Sequence, residues 1–222
     1  MALPPSHRRP RTYAVITADI RGSRGVADFR RERDRKLKPL TRLHLDQKVI
    51  LSEYAITAWD EFEGLTIPEH VPRLLFDLRR WFYPLRLWIG VGIGAVSEPH
   101  RKPINVFAGG EAFERARQAI EDIKKKQKRF PRWTAFVSGS QEFDLIANTV
   151  YHLHDTLIQG VSLKQWKTIN AQISLQTQGR AAKKLGLDES TVSRSLRRGF
   201  YTQMQETRAT MEILIKKQFA ER

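Results

Sequence analysis

Two regimes of hydrophobic patterning divide this chain. Thr12-Tyr-Ala-Val-Ile-Thr-Ala-Asp19-Ile20 is β-branched and almost continuously apolar, which predicts a buried central strand ending on a carboxylate. Arg21-Gly-Ser-Arg-Gly25 reads as a turn. From Ala27 to Leu51 the pattern is helical, with Leu40, Leu43, His44, Gln47 and Leu51 as a partial stripe and Pro39 marking a kink or a break between two helices. Glu53 to Ile67 predicts two short strands joined by a tight turn at Trp59-Asp60-Glu61. Pro68 opens a helix to about Phe82, with Val71, Leu74, Leu75, Leu78 and Trp81 or Phe82 facing inward. A buried strand from Leu85 to Val96, a helix from Glu111 to Lys126, a strand from Arg132 to Ser138 and a helix from Gln141 to Gln159 complete this part. The order β-α-β-β-α-β-α-β-α is that of an α+β sandwich with helices packed on a mostly antiparallel sheet. Gly160 is the expected boundary. Beyond it the pattern is helical throughout, beginning with the stripe Leu163, Trp166, Ile169 and Ile173 and ending in a helix carrying Tyr201, Met204, Met211, Leu214 and Ile215.

Within this second part, residues 178–197 read as a helix-turn-helix. Helix formers fill Arg180 to Leu185, and Gly186 supplies the left-handed residue at which a helix stops. Leu187 is expected to plug the gap between the helices, and Asp188 or Glu189 to start the second one with a side-chain cap. Ala182 is small where the helices cross, and Val192 is apolar where the second helix turns inward. In such a motif the second helix lies in the major groove of duplex DNA. Ser190, Thr191, Ser193, Arg194 and Arg197 then lie on or near its outward face, with Arg180, Lys183 and Arg198 as further basic contacts.

Charge agrees with that expectation. The 222 residues carry a formal net charge of +15, which favours polyanionic partners. From Val161 onward there are 12 Lys+Arg against 5 Asp+Glu, so +7 lies there and +8 before it; the basicity is not confined to the helix-turn-helix. The absence of cysteine excludes disulfides, thiol catalysis and cysteine-ligated zinc. No apolar run approaches the ~20 residues of a membrane span, and Met1 to Arg11 has no apolar h-region, so a cytoplasmic protein is expected.

The candidate chemistry lies in the first part. Asp19 ends a strand and Asp60 sits at a hairpin tip, and a β-α-β unit brings two such positions side by side. Two carboxylates there suit Mg²⁺, with Glu61 as a third candidate; a pair of solvated turn residues is the alternative. If no metal is bound, a nearby Arg such as Arg21, Arg24 or Arg117 must relieve their repulsion. Gly90-x-Gly92-x-Gly94 falls within a strand, so close packing of a helix accounts for it better than a dinucleotide fingerprint does. Trp59 is the tryptophan placed to stack on a base. The runs Arg30 to Lys36 and Lys124 to Arg132 read as solvated faces or phosphate contacts.

Tyr13 to Arg24, Trp59 to Leu65, Ile89 to Gly94 and Gly110 to Ile120 together resemble the SatD family, which joins such a region to a C-terminal helix-turn-helix. The same pattern is similar to the palm-like domain of class III nucleotidyl cyclases and diguanylate cyclases. The resemblance implies a ferredoxin-like, palm-type α+β domain over residues 12–160, after a flexible arm at 1–11, and an all-α helix-turn-helix domain over 161–222. It implies Asp19 and Asp60 as metal ligands, with the Ile20 carbonyl as a third. A nucleotide, if bound, is expected near Trp59 and Arg117. Two positions depart from the cyclase pattern: Trp59 stands in place of Gly, and Phe113 in place of an Asn. The resulting expectation is a homodimeric DNA-binding regulator with a degenerate cyclase-like domain, the alternative being an active two-metal nucleotidyl transferase.

Overall fold

The computed structural model describes residues 11–25, 27–97, 109–126 and 132–219. Apart from Arg11, the arm at 1–11 lies outside them. Strand β1 (Thr12–Arg21) is buried at eight successive positions because it is the central strand. It pairs antiparallel with β3 (Glu61–Thr66) on one side and with β4 (Arg86–Ala95) on the other. Short β2 (Ala55–Ile56) and β5 (Thr134–Val137) complete the order β2-β3-β1-β4-β5, in which only β4 and β5 run parallel. The architecture is α+β, a five-stranded mixed sheet with eight α-helices among the described residues.

Side chains alternate across a strand, so β1 serves two cores. Ala14, Ile16, Ala18 and Ile20 meet α1 (Phe29–Asp46), α2 (Val71–Phe82) and α4 (Gln141–Gln159). Tyr13 and Val15 face the other way, onto Ala112 and Ala116 of α3 (Glu111–Lys126). Helix α3 lies unusually close to β4. A Cβ on Gly90 would stand 2.5 Å from Ala116 O and 2.6 Å from Ile120 N, and one on Gly92 would press closer still on Ala112 O. The strand glycines are therefore a packing device, as expected.

Some boundaries differ from expectation. Helix α1 runs through Pro39 without a break, its face held by buried Leu37 and Leu40 on either side of the proline. It stops at Asp46, not Leu51. Lys48 turns left-handed (φ 54°) there, and Val49 N–H donates back to His44 O at 2.8 Å. A 3-10 turn, Pro68–His70, precedes α2.

Four further helices follow: α5 (Leu163–Leu175), α6 (Gln178–Leu185), α7 (Glu189–Arg198) and α8 (Tyr201–Phe219). Ser162 caps α5 reciprocally, accepting from Gln165 N–H while its own N–H donates to Gln165 Oε1. Trp166, Ile169, Ala181, Ala182, Val192, Leu196 and Met204 form a core with Phe76 of α2. Leu163 and Leu187 take no part in it, being 51% and 43% exposed, so Leu187 does not plug the interhelical gap. Gly199 and left-handed Phe200 (φ 55°) separate α8 from α7.

The outer half of α8 turns back onto the sheet layer. Met211 and Ile215 are fully buried in the core that also holds β1 and α2, and Phe219 stacks edge-on against Phe143 with ring centroids 4.9 Å apart. The apolar face of α8 around Met204, Met211 and Ile215 is thus covered within one chain. No helix among the described residues is long and apolar enough to cross a membrane.

The close approach of α3 sets a test. Gly92→Ala is expected to destabilise the chain by at least about 1–3 kcal/mol, because the methyl group meets backbone rather than a flexible side chain. Gly25→Ala, where a Cβ finds open space, is expected to stay within about 0.5 kcal/mol of wild type. Urea unfolding of the two variants measures both.

Candidate functional site

Strand parity assembles a carboxylate cluster on the α3 face of the sheet. Asp19 shares that face with Tyr13, Val15 and Thr17, and its register partner on β3 is Glu61; Thr17 is opposite Glu63. The hairpin between β2 and β3 closes at Thr57 to Asp60, with Thr57 N–H donating to Glu61 O at 3.1 Å. This places Asp60 beside the end of β1, where Ile20 N–H donates to Asp60 O at 2.9 Å. Asp19, Ile20, Asp60 and Glu61 are therefore brought together as expected.

Cations from α3 reach this cluster. Lys124 Nζ stands 2.5 Å from Asp19 Oδ2 and 3.7 Å from Glu61 Oε2. Arg117 donates from Nη1 to Glu61 Oε1 at 2.8 Å and from Nη2 to Glu63 Oε1 at 3.3 Å. Thr57 and Thr17 hydroxyls donate to the same two oxygens, at 2.9 and 3.1 Å. Ser23 Oγ donates to Asp60 Oδ2 at 2.8 Å. Arg21 instead lies over the Trp88 ring, 4.8 Å from its centroid, and the Arg24 side chain lies outside the described part. Burial pushes the Asp19 carboxyl above its ordinary range; Lys124 opposes this, while the charges of Asp60 and Glu61 add to it. Burial likewise raises Glu63, against the Thr17 hydroxyl and Arg117.

Arg117 was a candidate nucleotide contact, and its guanidinium is committed to Glu61 and Glu63. Lys124, Glu63, Thr17, Thr57 and Ser23 were not anticipated. A signal for Lys124 was present: it follows Arg117 by seven residues on one helix, which puts both on one face. The set does not fit a metal as it stands, because a divalent ion at Asp19 would have to displace Lys124 from Oδ2.

Trp59 is 40% exposed at the hairpin tip, packed on Phe29 with ring centroids 4.6 Å apart. Arg33 is buried and donates to Trp59 O at 2.7 Å, and Lys36 donates to Trp81 O and Tyr83 O at the end of α2. The basic run 30–36 therefore carries two structural cations rather than a uniformly solvated face. Of the run 124–132, residues 127–131 lie outside the described part.

The second candidate surface is on α6 and α7. Gly186 is left-handed (φ 64°, ψ 38°), and Leu187 N–H donates to Ala182 O at 3.0 Å, closing α6. The expected side-chain cap on α7 is absent. Asp188 begins the helix through its backbone carbonyl, which accepts from Thr191 and Val192 N–H. Ala181 and Ala182 are buried at the crossing, and Val192 and Leu196 fix the inward face of α7. Arg180, Lys183, Ser190, Ser193, Arg194, Arg197 and Arg198 are exposed, with Thr191 half-buried. Arg194 bonds only within its own helix, to Ser190 O at 3.3 Å and Thr191 Oγ1 at 3.2 Å. No ion pair with a described carboxylate engages Arg180, Lys183, Arg197 or Arg198.

The raised Asp19 makes a pH-dependent prediction. Lys124→Ala removes an attraction that exists only while Asp19 is ionised, and Lys124 is about a third exposed, so the expected loss near pH 7 is roughly 0.5–1 kcal/mol. A raised carboxyl pKa means that the folded state holds the proton more tightly than the unfolded chain. The gap to wild type therefore closes as pH falls and Asp19 protonates. Urea midpoints of the two proteins, measured at pH 7 and then stepwise downward, check this.

A search of curated proteins returns no match. The model of the SatD family matches residues 13–214, from the second residue of β1 into the last turns of α8. That span takes in both the carboxylate cluster and the basic helix pair, and the chain belongs to the SatD family.

Proposed function

We propose that this protein is a DNA-binding regulator that reads duplex DNA with α7. In this reading α6 and α7 are a helix-turn-helix, and residues 161–222 are the DNA-binding part. The observation that carries it is the split of α7 into a buried apolar side, Val192 and Leu196, and an exposed side bearing Ser190, Ser193, Arg194 and Arg197. Hydroxyl and guanidinium groups so placed suit base edges and phosphates. Arg180 and Lys183 on α6 and Arg198 beyond the turn extend the basic surface towards the backbone.

The sheet part reads as a palm-type domain. Its order β2-β3-β1-β4, antiparallel throughout, supports that reading, as do Asp19 and Asp60 at adjoining strand and hairpin ends. Asp19, Glu61 and Glu63 are met by Lys124 and Arg117 and Asp60 by the Ser23 hydroxyl, so we take the site as degenerate, held by the chain's own groups rather than by Mg²⁺ and a nucleotide. Binding as a homodimer to a two-fold site is the usual way for one recognition helix to gain affinity. The surface for it is not the apolar side of α8, which is already covered.

With duplex selected from a random DNA pool, the full chain should bind with an affinity that falls steeply as salt rises. Arg194→Ala or Arg197→Ala should each cost about 1–3 kcal/mol where the side chain reads a guanine edge. Equal affinity of the double variant and the wild type in fluorescence anisotropy would remove α7 from the interface. In thermal melts of the full chain, Mg²⁺ with a nucleoside triphosphate should leave the midpoint unchanged. A rise that disappears in Asp19→Asn/Asp60→Asn would instead restore the sheet site as a nucleotide site.

A further inference from the structure

A cleft of about 640 Å³ opens between the sheet layer and the C-terminal helices, away from both surfaces described above. Its volume is in the range of small-molecule sites. One wall comes from α1 and α2, the other from α5 and α8, and Leu43, Phe76 and Ile173 give it an apolar floor. Arg73, Arg80 and Arg208 line it together with Asp77 and Glu212, leaving a formal excess of one positive charge.

The lining charges are unequally committed. Asp77 is buried and fully engaged: Arg80 Nε lies 2.7 Å from Oδ1, and His44 Nε2 is 3.2 Å and Arg73 Nε 3.6 Å from Oδ2. Burial pushes that carboxyl up, but the His44 hydrogen bond and the Arg80 charge outweigh it and hold it below its ordinary range. Arg80 also donates to Asn170 Oδ1 at 3.1 Å, tying α2 to α5. Arg73 reaches only Gln47 beyond Asp77, and Arg208 Nε stands 3.5 Å from Glu212 without a hydrogen bond.

One buried acceptor also lacks a partner. Gln172 donates from Nε2 to Gln176 O at 3.2 Å, which fixes the amide orientation, and its Oε1 is buried with nothing to accept from. A ligand suited to this lining has an anionic group for Arg73 and Arg208 and an apolar part for Leu43, Phe76 and Ile173.

We infer that this cleft binds a small organic anion, a carboxylate or phosphate, and that the ligand bridges the sheet layer to the helices holding α6 and α7. The inference does not depend on DNA contact, and its test involves none.

Thermal melts of the full chain should be run with adenosine monophosphate, a hexose phosphate and glutamate, beside adenosine, the free hexose, glutamine and inorganic phosphate alone. At least one of the organic anions is expected to raise the midpoint, by roughly 5–10 °C at a hundredfold excess over its Kd. Its uncharged counterpart should give a smaller rise. The phosphate probes and glutamate separate the two kinds of anion. Arg73→Gln and Arg208→Gln should each remove the shift, and Ile173→Trp, which fills the cleft without touching an ion pair, should remove it too. The inference is overturned if none of the three organic anions moves the midpoint, if the uncharged counterpart or bare phosphate does so equally, or if the shift survives these substitutions.

Discussion

Everything at the carboxylate cluster depends on how near α3 can come to the sheet. Gly90 and Gly92 strip β4 of side chains where the helix backbone passes, and Ala112, Ala116 and Ala119 keep the facing side of α3 small. The helix then lies low enough for Arg117 and Lys124, seven residues apart, to reach Glu61, Glu63 and Asp19. A larger residue on β4 would lift α3 and withdraw both cations from carboxylates that are buried or nearly so. Packing and electrostatics are therefore one constraint here: the glycines set the distance, and the distance sets which charges are paired.

The same reasoning explains what could be read from the chain alone. The strands and helices of the sheet layer follow from strong periodicity, and Glu111–Lys126 and Gln141–Gln159 agree to the residue. The Asp19–Asp60–Glu61 grouping was legible because a strand end and a hairpin tip carry little positional freedom. The ion pairs were not legible, since they depend on the height and roll of α3 against the sheet, which no local pattern records. Lys124 reads in sequence as part of a basic run on a solvated face, a role available to any of the three lysines there. Pro39 misled for a related reason: its local cost is real, but Leu37 and Leu40 buried on either side of it make one continuous helix the better compromise. Leu187 sits in a turn that is closed by backbone N–H bonds from Gly186 to Lys183 O and from Leu187 to Ala182 O, and needs no apolar plug.

The C-terminal helices are not joined to the sheet by a linker alone. Phe76 of α2 belongs to their core, Arg80 spans to Asn170, and Met211 and Ile215 of α8 complete the core around β1. The helix that follows the basic pair is thus anchored in the sheet layer, which ties the position of α7 to that of α2. This is the physical link by which a ligand between the layers would be felt at the basic face, and it is why the intact chain is the proper object for binding experiments.

The chain contains no cysteine, so one can be introduced as a unique attachment point. A photoactivatable group on Ser193→Cys, in the middle of the exposed side of α7, tests directly whether that surface meets DNA; Thr149→Cys, exposed on α4 and outside the basic helix pair, is the control. Irradiation with bound duplex should cross-link the chain through position 193 and leave position 149 unreacted. Cross-linking through 149 with none through 193, while the duplex remains bound, would contradict the account.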